Sequence, residues 1–183
     1  MTLRKFLEDG RILLRVPEPE DLELMYRMEN DTTLWSVGCT TMPYSRFALR
    51  RYITESTGDI YADRQLRMMI VDKAQACVMG CIDLANFDVR NRRAEIGIVV
   101  LPEFRQSGVA TCALRLLVDY AFGFLHLCQL IAYVPVDNVF SHHLFSHVGF
   151  NTVAVLKSWL CRGDGIYADV SLMQCLNDVS NRK

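Results

Sequence analysis

The sequence predicts a mixed α/β domain built on a partly antiparallel sheet, and three observations carry that prediction. Extended apolar runs follow one another at 66–72 (LRMMIVD), 77–87 (CVMGCIDLANF) and 93–101 (RAEIGIVVL), joined by tight polar connections at Lys73-Ala74-Gln75 and Val89-Arg90-Asn91 that favour antiparallel hairpins. An amphipathic helix follows them, with Val109, Cys112, Ala113, Leu116, Leu117, Tyr120, Ala121 and Phe124 recurring at three- and four-residue steps. Near the end, Arg162-Gly163-Asp164-Gly165 forms a hairpin turn between runs at 151–160 and 166–175.

The remaining elements fall into place around these. A short apolar run at 11–16 (RILLRV) precedes Pro17 and Pro19, which bracket a helix start. Glu18, Glu20 and Asp21 suit its positive end, and Leu22, Met25 and Met28 line one face. A loop through Trp35 and Gly38 leads to a second helix opened by Pro43 and Ser45 (SRFALRRYITES) and ended before Gly58. Residues 127–134 (LCQLIAYV) read as another strand, and Asp137 or Asn138 caps a short helix that runs through His147 and stops at Gly149. The order is β-α-α-β-β-β-α-β-α-β-β, with no repeat or linker, so residues 1–183 read as one domain.

Composition narrows the function. The 183 residues carry a net charge of −1, which supplies no basic field for nucleic acid or anionic lipid. No apolar run approaches the roughly 20 residues of a membrane span, and Met1–Phe6 lacks a signal peptide's apolar core. Seven cysteines without CxxC pairs or nearby histidines read as reduced thiols in a cytoplasmic protein, and no metal site is expected.

Two adjacent stretches carry the chemistry. In RAEIGIVVLP, alternation puts Ala94, Ile96, Ile98 and Val100 on one face and Glu95, Gly97 and Val99 on the other. A glycine inside a strand marks a bulge or a close approach to the backbone, and Glu95 would look toward the approaching group; a solvated face with an incidental glycine is the alternative. Next, Arg105-Gln106-Ser107-Gly108-Val109-Ala110 passes from strand to helix. The first N–H groups of a helix lack partners and lie at its positive end, Gly108 lets a ligand approach, and Arg105 adds a charge, which together suit a pyrophosphate. Alternatively, Ser107 merely caps the helix. The loop is neither a Walker loop nor GxGxxG, which argues against nucleotide hydrolysis and dinucleotide binding.

With AEIGIVV before that loop, then PVDN at a strand end, a short helix and VGF, the chain resembles the GNAT superfamily of N-acetyltransferases over roughly residues 11–176. Within it, the branch of ribosomal-protein N-terminal and spermidine acetyltransferases is the most similar. The family pattern Q/R-x-x-G-x-G/A is met by Arg105, Gly108 and Ala110, while Gln106 stands where many members have glycine. The resemblance implies a largely antiparallel twisted sheet with one splayed strand pair, flanked by about four helices, and acetyl-CoA as acyl donor. The strand holding Ile98, Val99 and Val100 would diverge from the strand at 127–134. The pantetheine arm would enter that gap, the pyrophosphate would lie on Arg105, Gln106, Ser107, Gly108, Val109 and Ala110, and Asn138 would contact the cofactor.

Acetyl transfer to an amine requires removal of an ammonium proton, stabilisation of an oxyanion, and a tolerated thiolate leaving group. A strand N–H at Ile98 or Val99 is the expected oxyanion donor. Glu95 is the candidate base, against a surface carboxylate paired with Arg92 or Arg93. The tyrosine that spermidine-type members place seven residues after the asparagine is Phe145 here, which has no proton to give. Ser141, three residues after Asn138, matches the serine of ribosomal-protein-type relatives and is the candidate partner for the thiolate, against a plain helix-surface serine. His142, His143 and His147 cannot share one helix face and are left out.

The acceptor site is expected in residues 30–55 and 158–167. Trp35, Met42 and Tyr44 are candidate lining residues. Arg46, Arg50 and Arg51, with no cluster of carboxylates in view, argue for a protein N-terminus or small amine over a polyamine. A polyamine acetyltransferase and a non-catalytic CoA-binding domain remain the alternatives, and a homo-oligomer is left open.

Overall fold

A computed structural model describes residues 6–35 and 42–177. β1 (Ile12–Arg15) leads through a 3-10 turn at Pro19–Asp21 into α1 (Leu22–Glu29), single-turn α2 (Thr32–Trp35), α3 (Arg46–Glu55) and single-turn α4 (Ile60–Asp63). Then follow β2 (Leu66–Asp72), β3 (Cys77–Asp88), β4 (Arg93–Val100), α5 (Val109–Gly123), β5 (Gln129–Pro135), α6 (Val139–His147), β6 (Asn151–Cys161) and β7 (Tyr167–Leu176). The strands form one seven-stranded sheet in the order β1-β2-β3-β4-β5-β7-β6. Every neighbouring pair is antiparallel except β4 and β5.

Short polar side chains set the boundaries. The Asp72 carboxylate accepts the Ala74 and Gln75 N–H groups at 2.8 and 3.0 Å, closing the β2–β3 turn, and Asp88 accepts the Asn91 N–H at 2.9 Å to close the β3–β4 turn. Ser45 caps α3 by accepting from the Ala48 N–H at 3.1 Å. Asn138, of the two candidates, caps α6. Two expectations need correction. Trp35 closes the short helix α2 rather than a loop, while Gly38 lies outside the described residues. Phe124 ends α5 largely exposed, stacked on Tyr120, while Leu114 and Val118 are buried. The buried stripe is wider than one face because α5 packs on β1, β3 and β4 and also meets α6.

Strand parity divides the core. Ile12, Leu14, Met68, Ile70, Leu84, Ala94, Ile96, Leu130 and Ala132 face α5, packed with Val109, Ala113, Leu117 and Ala121. Met69, Val71 and Cys81 face the other way, under Met25 and Met28 of α1 and Leu49 of α3, with Val99 packed alongside. Glu95 and Gly97 share the parity of Val99. They therefore open toward the α1–α3 side, while α5 presents its N-terminus at the end of β4. No described helix is long and apolar enough to cross a membrane.

Candidate active site

β4 and β5 pair in parallel for three residues, Arg93 with Gln129, Ala94 with Leu130 and Glu95 with Ile131, and then part. β4 continues against β3 to the Gly80–Val100 pair, and β5 continues against β7 to the Pro135–Val170 pair. Each strand is held by its antiparallel neighbour, so the sheet twist opens between them. The register decides which backbone groups face the opening. The Leu101 N–H donates to the Met79 carbonyl at 2.9 Å, and the Arg92 carbonyl accepts from the Cys128 N–H at 2.7 Å. By alternation, Val99 directs its N–H and C=O toward β3, while Ile98 and Val100 direct theirs into the gap. Of the two expected oxyanion donors, only the Ile98 N–H therefore faces the opening.

The loop beyond β4 keeps its amides open. Pro102–Phe104 form a 3-10 turn, Gln106 has φ +58° and Gly108 has φ +80°. The left-handed backbone at Gln106 is the geometry a glycine adopts without strain. The alternative of a serine cap does not hold. The Ser107 hydroxyl donates back to the Phe104 carbonyl at 2.5 Å, the N-cap is Gly108, and α5 has no side-chain cap. Its first N–H groups are left for water or a ligand. A Cβ placed on Gly108 would meet nothing within 4 Å, so the space in front of the loop is open. Arg105 folds back, with Nε donating to the Val100 carbonyl at 3.1 Å.

A cleft of about 490 Å³ lies beside the gap, bounded by Glu95, Gly97, Ile98, Val99, Tyr133, Asn138, Ser141 and Phe145 and walled by Trp35 and Tyr44. Met42 is exposed and does not line it. Glu95 is half-buried, and Arg93, one of its expected partners, pairs instead with Asp88 at 3.2 Å. The Glu95 side chain has no hydrogen bond or ion pair among the described residues, which leaves its carboxylate available. Asn138 Oδ1 accepts the Ser141 N–H at 3.1 Å, fixing Ser141 on the first turn of α6 at the cleft edge. Phe145 is buried, edge-on to Phe150 at 5.1 Å. Tyr133 stacks on Trp159 with centroids 6.1 Å apart, but contrary to expectation no residue of 158–167 itself lines the cleft. Burial pushes the Tyr133 hydroxyl above its ordinary range, and the Glu95 carboxylate adds to the shift. The three histidines of α6 lie outside the lining, and His147 contacts Arg115 at 2.9 Å.

The floor holds charges that sequence reasoning missed. Arg67 from β2 donates through Nε and Nη2 to both carboxylate oxygens of Asp83 at 2.8 and 3.1 Å, and through Nη1 to Glu29. Burial works against the guanidinium charge, but Asp83 outweighs it and holds Arg67 above its usual range. Burial, reinforced by the Asp83 charge, pushes the Cys81 thiol beneath up to about 12. Glu29, Asp83 and Glu95 together exceed Arg67 by two negative charges. Two of the three arginines of α3 that had argued against carboxylates here are engaged elsewhere: Arg46 pairs with Glu23 and covers the Tyr26 ring, and Arg51 pairs with Glu55. Glu29, Asp83 and Arg67 are 16 or more residues apart in sequence. Their one local signal is a charged residue at an inward position of an otherwise apolar strand or helix.

A family model described as "Acetyltransferase (GNAT) domain" matches residues 11–151. The chain belongs to the GNAT acetyltransferases. Its sheet, with the splayed parallel pair, is the mixed and largely antiparallel architecture expected for the family. Similar curated proteins include a spermidine N(1)-acetyltransferase of Vibrio cholerae, 27% identical over 142 residues, covering 78% of this chain and 80% of that one. Another is a putative ribosomal N-acetyltransferase, YdaF, of Bacillus subtilis, 31% identical over 163 residues, covering 86% and 84%. Among solved structures, a spermidine N-acetyltransferase from Vibrio cholerae in complex with CoA and spermine superposes with a TM-score of 0.82 at 26% identity, covering 93% and 98%. This GNAT enzyme transfers an acetyl group from acetyl-CoA to an amine.

Proposed function

We propose that the acceptor is a small amine carrying more than one positive charge, bound in the cleft over Glu29, Asp83 and Glu95, and that it attacks the thioester directly in a ternary complex on a single domain. The chain's own residues fit acetyl-CoA. The amides at 106–110 lack a side-chain cap, the space before Gly108 is open, and the backbone of Ile98 and the Val100 N–H face the gap where a pantetheine arm would lie, the Val100 carbonyl being engaged by Arg105 Nε. When bound, acetyl-CoA would supply an activated acyl group on a thiolate leaving group, a much weaker base than an alkoxide.

Glu95 takes the proton from the ammonium, directly or through one water, and releases it to solvent. The Ile98 N–H, facing the gap, stabilises the oxygen that gains charge on the carbonyl carbon. Ser141 donates a hydrogen bond toward the departing sulfur, in the place where Phe145 has nothing to give. The second proton leaves the acylated nitrogen and accompanies the thiolate as free CoA thiol. Asn138 holds Ser141 in place through α6.

The observation that carries this reading is the half-buried Glu95 carboxylate without a side-chain partner among the described residues, in a cleft whose charged lining, Glu95 included, sums to −2. The resemblance to spermidine acetyltransferases supports the acceptor class. Steady-state kinetics with acetyl-CoA and a panel of monoamine, diamine, triamine and peptide N-terminal acceptors test it. Polyvalent amines are expected to give the highest kcat/KM, and preference for a peptide bearing one ammonium would overturn the acceptor assignment.

A further inference from the structure

Arg11 and Ser107 are 96 residues apart, yet Arg11 Nη1 donates to the Ser107 carbonyl at 2.7 Å. Arg11 is well placed to do so. Its own N–H donates to Asp9 Oδ1 at 2.7 Å, its carbonyl accepts from the Lys73 N–H at 2.9 Å, and β1 packs against α5. The guanidinium thus reaches the start of α5 from an anchored strand end. The sequence motif gives no hint of this, because nothing about Arg11 in RILLRV distinguishes it from a solvated charge.

The bond acts on a peptide plane. A trans peptide holds C=O and N–H pointing in opposite directions, so fixing the Ser107 carbonyl toward Arg11 fixes the Gly108 N–H pointing away from Arg11. This is also the plane most liable to flip. Gly108 has φ +80°, and a glycine tolerates either sign of φ, so reversing the Ser107–Gly108 peptide meets little steric resistance. A flipped plane would replace a donor with a carbonyl oxygen in front of a diphosphate. Arg105 does not hold this plane, since its Nε is on the Val100 carbonyl.

We propose that Arg11 is a positioning residue of the diphosphate cradle, locking the Ser107–Gly108 peptide so that the Gly108 N–H faces the ligand. This rests on the reading that residues 105–110 hold the CoA diphosphate. It adds a component from the opposite end of the chain. The guanidinium side chain is exposed, so its removal leaves the core intact.

The test compares CoA with pantetheine, which lacks the diphosphate, by NMR titration of wild-type protein, Arg11→Met and Arg11→Lys. In Arg11→Met the CoA dissociation constant is expected to rise about fivefold to tenfold, in line with losing one charge-assisted hydrogen bond at an exposed site. Pantetheine affinity and the melting midpoint should hold, and the Gly108 amide of the free protein should show new microsecond-to-millisecond exchange. Arg11→Lys, which can still reach the carbonyl, should recover most of the affinity. Equal weakening of CoA and pantetheine would overturn the proposal, as would CoA weakening without exchange at Gly108, which would leave only a charge effect. Wild-type protein that binds pantetheine and CoA equally would remove the diphosphate reading itself, and this proposal with it.

Discussion

Gly80 passes the Val99 carbonyl so closely that a Cβ added to it would lie 2.1 Å from that oxygen and 2.9 Å from Val100 Cα. Both neighbours are backbone and cannot step aside. Gly97, two residues before Val99, is the opposite case: a Cβ there meets nothing within 4 Å, and the residue opens on the cleft. Gly80→Ala should therefore destabilise the fold by ~1–3 kcal/mol in urea unfolding, as overpacking does. Gly97→Val should keep its unfolding midpoint yet lose at least about a hundredfold in kcat/KM, because the side chain occupies the acceptor's approach. The reverse pattern would contradict the assignment of the gap.

Glu95→Gln preserves shape and removes the base. The expected loss is about 10²-fold in kcat, with CoA-induced thermal stabilisation retained. Ser141→Ala should cost less, about tenfold, as for one hydrogen bond to a charge. A Glu95→Gln enzyme with wild-type kcat would assign proton removal to another group or to solvent.

Arg67 neutralises one of two floor carboxylates at about a quarter exposure. Arg67→Met leaves Asp83 and Glu29 facing each other, and should cost ~1–3 kcal/mol, below the range for fully buried pairs because water reaches this one. Asp83→Asn should raise KM for polyvalent amines more than for monoamines. Equal effects on both would place the acceptor elsewhere.

Stability against acid should depend on Asp21, which is 5% exposed at the start of α1. Burial pushes its carboxyl up, but the bidentate Arg15 guanidinium at 2.6 and 3.0 Å and the Glu18 N–H at 2.8 Å outweigh that, and its pKa lies below the ordinary value. A depressed folded-state pKa means that the unfolded chain binds the proton more readily, so this contribution is full above the unfolded pKa of ~3.9 and is lost as pH falls through the folded value. Asp21→Asn should lower stability at pH 7 and flatten the acid limb of the unfolding curve. An unchanged acid limb would show that the pair does not contribute.

The sequence read most clearly where one residue's role is decided by its chain neighbours. The turns at 73–75 and 89–91 and the caps at Ser45 and at Asn138, one of two candidates, depend on contacts within four residues. The α5 stripe was only partly legible: Leu114 and Val118 are also buried, in a helix that packs on three strands and meets α6, which a single-face periodicity does not represent. The single turns α2 and α4 lack the two or more periods on which a helical pattern is visible.

For the site, the sequence put Gly97 and Glu95 on one strand face and an amide loop at Gly108 with a Ser107 cap still open, and the family resemblance pointed to Asn138 with Ser141 one turn on. The tertiary structure alone decided that Glu95 lacks its neighbouring arginines, that Ile98 rather than Val99 faces the gap, and that Glu29, Asp83 and Arg67 meet on the cleft floor. The physical reason is range. Alternation and capping act along the chain, whereas the partner of a charge or a strand N–H is fixed by which segments the sheet order brings side by side.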